Sequence, residues 1–402
     1  MTIRMMLQEI AAPKGFIGGP FGSNLVSKDY VETGVPVIRG SNMGRTGHLE
    51  PPFVYVAEDK LKRDLSRNVA RAGNLIFTQR GTLGQVVLLK GDSEDRYVIS
   101  QSQMGLVVDK KVADARYVYY ACTTKDFLAQ IDSRAIRTGV PHLNLGILRE
   151  LTIPRMSLGE QIAIAAVLGA LDDKIAANRS CIALTSKLLD AKYRSTAKHR
   201  SELLFQDFAD VGGGATPSTK KLDLWGQGVA WATPTDVTGL EGVWLDRTER
   251  TISPAGLASI SSPLYPVGSI AMTSRATIGA VALLGVPMAV NQGFIVLEPK
   301  DPSNQLWLYC QLRDRVDELK AWANGATFLE LPKKIFRGLP VELGSESDMR
   351  EFAAFSTPLM ERLHGAQREN AYLAATRDEL LPLLMSGKIT VKDAEKTVEE
   401  VV

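Results

Sequence analysis

The chain has 402 residues, 45% of them hydrophobic and 23% charged, with 34 glycines and 19 prolines; this fits a folded protein of two or three domains and excludes a disordered chain or a simple coiled-coil rod. Its 47 basic and 45 acidic side chains leave a formal charge of +2, so bulk charge nominates no nucleic-acid partner. Cys122, Cys181 and Cys310 lie far apart, which excludes a Cys-x-x-Cys pair and a disulfide framework and points to a reducing cytoplasm.

Along the chain, the N-terminal ten residues carry Glu9 and no long apolar run, so no signal peptide is expected. No stretch approaches the length of uncharged apolar residues that a membrane span needs, so no membrane partner is expected either. A Gly18-Gly19 turn and the segment Gly34-Val35 to Arg39-Gly40-Ser41-Asn42 precede Leu75-Ile76-Phe77 and Val86 to Leu89, which predict two strands around a tight turn. Ser100-Gln101 and then Gly139 to Leu145 (GVPHLNL) follow. After Ile153-Pro154 the turn residues thin out and a helical period begins.

The same series then recurs. Gly73 to Leu89 (GNLIFTQRGTLGQVVLL) and Gly268 to Leu284 (GSIAMTSRATIGAVALL) share eight of seventeen positions, where average composition gives about one by chance. Upstream, Arg39 to Asn42 aligns with Thr233-Pro234-Thr235-Asp236. Downstream, Ser100-Gln101 aligns with Asn291-Gln292, and GVPHLNL with Gly325 to Leu331 (GATFLEL), which sets His142 against Phe328. A second helical period starts after Leu343-Gly344. The chain is therefore a tandem duplication, and its fold class is expected to be α+β: two β-rich domains, each followed by a long helix.

In the first helical segment Ile164, Leu168, Leu171, Ile175, Asn178, Ile182 and Leu189 fall on one heptad seam. In the second, Phe352, Phe355, Leu359, Leu363 and Leu373 make a less regular stripe, with Pro358 expected to bend its first turns. Each segment is about 40 residues long, roughly 60 Å of helix. An antiparallel pairing of the two as a coiled coil would cover both stripes and hold the two domains at a fixed distance. The boundaries expected are residues 1–156, 157–200 for the first helix, 201–344, 345–386 for the second helix, and an acidic tail at 387–402.

The catalytic inventory is thin. His48, His142, His199 and His364 occur in unrelated contexts, and no phosphate-binding loop, dinucleotide fingerprint or nucleophile elbow is present. Two decoys stand out: Glu50-Pro51-Pro52-Phe53 resembles the loop with which adenine methyltransferases grip their target, and Glu298-Pro299-Lys300 resembles the tail of a nuclease motif. The first lacks the buried strand and glycine-rich cofactor loop that its chemistry needs, and the second reads more simply as the exit of a strand. What remains is a turn repeated in both copies, Thr78-x-Arg80-x-Thr82-x-Gly84 and Thr273-x-Arg275-x-Thr277-x-Gly279. An arginine flanked by hydroxyls on a tight turn can hold phosphates or read guanine edges bidentately, although a solvated or salt-bridged turn arginine would look the same.

Charge is unevenly divided. Residues 1–156 hold 21 basic and 15 acidic side chains and residues 157–200 hold 7 and 4, whereas residues 201–344 hold 12 and 15 and residues 345–402 hold 7 and 11. The near-zero total is a cancellation between a basic first half and an acidic second half.

Over essentially its whole length the chain resembles the specificity subunit of type I restriction-modification systems. The segment Ile153 to Arg179 (IPRMSLGEQIAIAAVLGALDDKIAANR) is similar to that family's first helical region, Leu380 to Ile389 (LLPLLMSGKI) to the close of its second, and the Thr-x-Arg-x-Thr-x-Gly turns to the signature of its target-recognition domains. Gly159, and Asp348-Met349-Arg350 in place of Glu-Gln, depart from the pattern. The resemblance implies two target-recognition domains that read an asymmetric bipartite site on double-stranded DNA. It also implies helices that act as a spacer and dock two methyltransferase subunits carrying S-adenosylmethionine, with restriction subunits joining for cleavage. On that basis the chain itself is a non-catalytic subunit that binds no cofactor and no metal. The candidate DNA contacts are Arg39, Ser41, Asn42, Thr78, Gln79, Arg80, Thr82, Gln101, Arg137 and His142 in the first copy. In the second they are Thr233, Thr235, Asp236, Thr273, Arg275, Thr277, Gln292 and Lys333. Two other classes remain open: a coiled-coil scaffold whose β domains bind protein or glycan, and a DNA-modifying enzyme that uses the Glu50 or Glu298 elements.

Overall fold

The computed structural model describes residues 3–44, 47–91, 96–196, 198–325 and 329–399. It divides into two compact units, Met1–Asp173 with Leu373–Val402, and Lys174–Tyr372.

The strands of the first unit are β1 (Arg4–Met6), β2 (Ala11–Gly18), β3 (Tyr30–Val31), β4 (Val35–Ile38), β5 (Val54–Val56), β6 (Val69–Arg71), β7 (Leu75–Thr78), β8 (Val86–Leu88), β9 (Arg96–Ile99), β10 (Gln103–Val108) and β11 (Thr152–Pro154). They form sheets of order β2-β10-β7-β8 and β3-β5-β4-β9-β6, while β1 pairs with β11. The expected hairpin is β7-β8, antiparallel with Leu75 opposite Leu88 and Phe77 opposite Val86. Its near-continuous apolar runs are explained by burial: Ile76, Val87 and Leu89 pack with Ile38, Met43, Tyr97 and Ile99 in one core.

In the second unit the strands are β12 (His199–Leu204), β13 (Ala209–Gly213), β14 (Trp225–Ala232), β15 (Trp244–Leu245), β16 (Arg250–Ile252), β17 (Ile270–Thr273), β18 (Val281–Leu284), β19 (Met288–Val290), β20 (Phe294–Pro299) and β21 (Pro340–Leu343). Sheet order is β13-β20-β17-β18-β15, with β16-β14-β19 beside it and β12 paired to β21. The run β13-β20-β17-β18 repeats β2-β10-β7-β8. The rarer parallel pairing recurs too, β4 with β9 and β14 with β19. Even single backbone bonds repeat: Gly73 N–H donates to Leu89 O at 2.8 Å and Gly268 N–H to Leu284 O at 2.8 Å.

Two long helices, Leu158–Ser195 and Glu346–Ser386, each have residues in both units. All seven residues of the first seam are buried, Ile164, Leu168 and Leu171 in the first unit and Ile175, Asn178, Ile182 and Leu189 in the second. The second stripe differs from its expected phase. Phe352, Leu363 and Leu373 are buried, but Phe355 and Leu359 are only half-buried, and Ser356 and Met360 take the buried positions. Phe352 sits edge-on to Tyr193 (centroids 6.0 Å apart) and Trp307 (5.4 Å). In the second unit Asn178 donates to Glu369 at 2.6 Å and Lys192 pairs with Glu351 at 2.7 Å, so the helices run antiparallel there. In the first unit Arg377 pairs with Asp172 at 2.7 Å. The helix continues through Pro358.

The helix starts explain one departure from the family pattern. Ser157 and Glu160 form a capping box, and the neighbouring Gln161, 1% exposed, accepts from Asp114 N–H at 3.0 Å and donates to Met156 O at 3.0 Å. In the second copy Ser345 and Asp348 retain the cap, with Ser345 Oγ 2.6 Å from Asp348 Oδ2. The shorter acid keeps the cap, and Met349 forgoes the amide tie. Residues 387–402, expected as a tail, include a helix at Val391–Glu399.

Candidate nucleic-acid interface

The repeated turn joins β7 to β8 and β17 to β18, and its four signature residues divide into two kinds. The first threonine is structural. Thr78 is 2% exposed and its hydroxyl donates to Gln85 Oε1 at 3.0 Å; Thr273 is fully buried, donates to Thr277 O and accepts from Ala280 N–H at 3.0 Å. The glycine is structural as well, because Gly84 (φ 90°) and Gly279 (φ 91°) occupy the left-handed region, and a Cβ there would fall 2.9 Å from Leu128 and 2.7 Å from Val316. The second threonines, Thr82 and Thr277, are exposed, as is Arg80, and Arg275 is half-buried. The residue after each arginine also has positive φ, Gly81 at 107° and Ala276 at 58°.

Backbone bonds bind further segments to each turn. Gln79 N–H donates to Ser102 O at 2.7 Å, and its equivalent Ser274 N–H to Gly293 O at 2.7 Å. These bonds bring in Gln101 and Gln292. Gln101 Nε2 donates to Gly22 O at 2.7 Å, and Gln292 Oε1 accepts from Thr216 Oγ1 at 2.5 Å, so both exposed amides fasten the glycine loops that leave β2 and β13. Lys333 joins the second group, its Nζ 3.1 Å from the point where a Gly213 Cβ would sit.

The Arg39 and Thr233 loops follow β4 and β14, the first tied to its turn by Gln85 Nε2 donating to Met43 O at 2.7 Å, and here several side chains are committed to the chain itself. Asn42, 1% exposed, accepts from Arg39 N–H at 3.0 Å and donates to Glu50 O at 2.8 Å and Pro52 O at 2.9 Å. Asp236 accepts from Thr233 N–H at 2.7 Å, Thr233 Oγ1 at 2.6 Å and Glu249 N–H at 2.8 Å. Both amide atoms of Asn42 and both carboxylate oxygens of Asp236 are engaged in bonds that shape their loops, which makes loop organisation their main role. Ser41 and Thr235 are exposed at the loop tips; the Thr235 hydroxyl lies 2.8 Å from that of Thr233. Arg39 is half-buried, with its Nε enclosed and unpartnered.

On the other side of each arginine the expected alignment shifts. Arg80 forms a backbone bridge with His142, but Arg275 forms the corresponding bridge with Glu330. Leu143 N–H donates to Gln79 O at 2.9 Å just as Leu331 N–H donates to Ser274 O at 2.9 Å. The counterpart of His142 is therefore Glu330 and not Phe328, which lies outside the described residues. Glu330 Oε1 accepts from Arg275 Nη2 at 2.9 Å. His142 offers no such charge: its Nδ1 lies 3.1 Å from Val140 O, and Arg80 has no ion-pair partner among the described residues. Arg137 is exposed and paired with Asp132 at 2.5 Å.

The two decoy motifs are scaffold. Glu50 and Pro52 lend their carbonyls to Asn42, and Phe53 packs against Tyr97 with centroids 6.0 Å apart. Glu298 lies opposite Asp210 on β20 and β13, and Lys300 Nζ donates to Gln206 O at 3.0 Å. Burial first, and then the Asp210 charge, raise the Glu298 carboxyl above its ordinary value. Among the described residues no three His, Cys, Asp or Glu side chains converge on a metal position, and no helix is long and apolar enough to cross a membrane. Each copy thus presents an exposed threonine and an arginine, exposed in the first copy and half-buried in the second, on a matching turn, an arrangement suited to hydrogen-bond recognition of phosphates and base edges.

Comparison with known proteins agrees in class. Residues 23–183 and 205–365 match the type I restriction modification DNA specificity domain, one match per copy, and the chain belongs to that family. It is 31% identical over 177 residues to the MjaIX type I restriction enzyme specificity subunit of Methanocaldococcus jannaschii, covering 44% of this chain and 41% of that protein. It is 27% identical over 186 residues to the HindI specificity subunit of Haemophilus influenzae, covering 46% and 40% respectively. The aligned part therefore spans about two fifths of the length of these curated relatives. In fold it is similar to the type I restriction-modification S subunit of M. genitalium, with a TM-score of 0.59 and 18% identity over 96% of each chain.

Proposed function

We propose that this chain is the DNA-recognition subunit of a type I restriction-modification complex, each copy of the duplicated fold reading one half of a bipartite site. The observation that carries this reading is the pair of turns, Thr78 to Gly84 and Thr273 to Gly279, each presenting one arginine and one exposed threonine from a matching hairpin. Two copies with different neighbours, His142 against Glu330 and Arg39 against Thr233, favour two half-sites of different sequence. The long helices set the gap between half-sites and offer docking surfaces to two methyltransferase subunits. Those partners, not this chain, hold S-adenosylmethionine and flip the target base; restriction subunits join them for cleavage, in the cytoplasm. The chain itself is non-catalytic.

In this reading a bidentate arginine contact contributes about 1 to 3 kcal/mol of base discrimination. Arg80→Ala and Arg275→Ala are each expected to relax sequence preference at one half-site by roughly 5- to 150-fold, leaving the other half intact. The measurement is competition binding of single-base-pair variants of the selected duplex to the assembled complex. Unchanged affinity and preference in both variants would make the turns structural and refute the reading.

A further inference from the structure

We infer that Glu330 is a specificity-determining positioning residue of the second recognition domain, cancelling the charge of Arg275 toward phosphates while fixing its guanidinium for a base edge. The inference rests on the DNA-recognition reading above and deepens it.

Glu330 is placed by the main chain. It bridges to Arg275 on one side and to Asn324 on the other, with Asn324 N–H to Glu330 O at 2.8 Å and Glu330 N–H to Asn324 O at 2.9 Å. The adjacent Leu331, 1% exposed, anchors the segment in the core. The carboxylate thereby arrives at Arg275 in a position set by backbone, and it engages the guanidinium at one nitrogen. Nη2 donates to Oε1 at 2.9 Å, while Nε is enclosed without an acceptor. The carboxylate engages one guanidinium nitrogen of a side chain that stays partly exposed, and a fixed plane is what bidentate recognition requires.

Stability does not explain the pair. Both side chains are about two fifths exposed, 43% and 41%, and an exposed pair of this kind contributes little to folding. Its effect falls on binding. A lone arginine is attracted to any phosphate, and that attraction carries no sequence information. An arginine whose charge is already matched gains little from a phosphate, yet still donates to a guanine edge. The first copy differs at this position, with His142 opposite an Arg80 that no carboxylate neutralises among the described residues. The division of charge along the chain runs the same way, since residues 1–156 are net basic and residues 201–344 net acidic. Both domains read their half-sites, but the first adds a larger sequence-independent attraction to phosphates, and the second relies more on its base contacts.

The test uses the full chain assembled with its methyltransferase subunits. Affinity is measured on an unrelated duplex and on the duplex selected from a randomised library, between 50 and 200 mM salt, for the parent, Glu330→Gln, Glu330→His and Arg275→Ala. Glu330→Gln and Glu330→His are expected to melt at the parent temperature and to bind the unrelated duplex more tightly. Their salt slope should be steeper by about one, an extra loss of about 3.5-fold across that range, and preference at the second half-site should weaken. Parent-like slope and preference in both Glu330 variants, with preference lost in Arg275→Ala, would overturn this inference and leave the DNA reading standing. Parent-like preference in Arg275→Ala as well, matched by Arg80→Ala in the competition assay above, would overturn both.

Discussion

Replacing Asn42 by aspartate changes one amide nitrogen to oxygen, and the structure assigns that atom a large consequence. The aspartate can still accept from Arg39 N–H, but it places a charged oxygen against the carbonyls of Glu50 and Pro52, to which Asn42 donates at 2.8 and 2.9 Å. The Asn42 side chain itself is buried, only 1% exposed. Two hydrogen bonds made by a buried side chain are lost and a carboxylate oxygen is set against two carbonyl oxygens, each costing about 1 to 3 kcal/mol, so the loop should lose roughly 2 to 6 kcal/mol of local stability. The chain holds two compact units, so a single unfolding free energy is a poor measure. Native-state hydrogen exchange reads the loop directly. The amides of Asn42, Met43, Gly44 and Glu50, all bonded within this loop, should exchange at least about 30-fold faster in Asn42→Asp, since 1.4 kcal/mol is a tenfold change in an equilibrium. Asp236→Asn is the reciprocal case: its carboxylate accepts from Thr233 N–H, Thr233 Oγ1 and Glu249 N–H, and an amide nitrogen would set donor against donor. Unchanged protection in both variants, together with altered preference at a single base pair, would show that these side chains read bases and would refute the assignment.

Other outcomes follow from the same structure. Ala276 holds φ 58° where the first copy has Gly81; Ala276→Gly should therefore stabilise the second unit by roughly 1 kcal/mol, seen as slower exchange of the Thr273 to Ala280 turn, and a destabilised turn would contradict this. Burial and the Asp210 charge raise the Glu298 carboxyl above its unfolded value. The resulting penalty is absent below the ordinary carboxylate range and is fully present once pH exceeds the folded value. Glu298→Gln should accordingly stabilise the chain at pH 7 and have no effect near pH 3 in chemical denaturation. Equal effects at both pH values would rule out an electrostatic cause.

The two copies show what a sequence can and cannot reveal. The first helix was legible because Ile164 to Leu189 keep a regular heptad, and every one of those residues is buried. The second was legible as a helix but not in phase. Half-buried Phe355 and Leu359 flank the stripe, while the small Ser356 and the flexible Met360 occupy its buried face, and hydrophobicity alone ranks these residues the other way. The hairpins were visible because identity concentrates where the backbone demands it, at Gly84 and Gly279 and at the buried Thr78 and Thr273. The roles of Asn42 and Asp236 were hidden. A polar residue in a loop reads the same whether its side chain faces solvent or is consumed by nearby backbone groups. Glu330 was missed for a different reason: a two-residue difference in the connection leading to it set Phe328 against His142, and only the backbone bridges to Arg80 and Arg275 restore the register. The departure at Asp348-Met349, by contrast, had a readable signal in Ser345, which marks a second helix cap three residues upstream.

The central claim is that one duplicated chain reads two different half-sites. Genome-wide mapping of methylated adenines, in a host carrying this chain with its methyltransferase subunits, tests that claim most directly. The expected result is a single asymmetric motif of two short specified blocks separated by a fixed gap, with Arg80→Ala relaxing one block and Arg275→Ala the other. No new modified motif, or one uninterrupted palindrome insensitive to both substitutions, would contradict it.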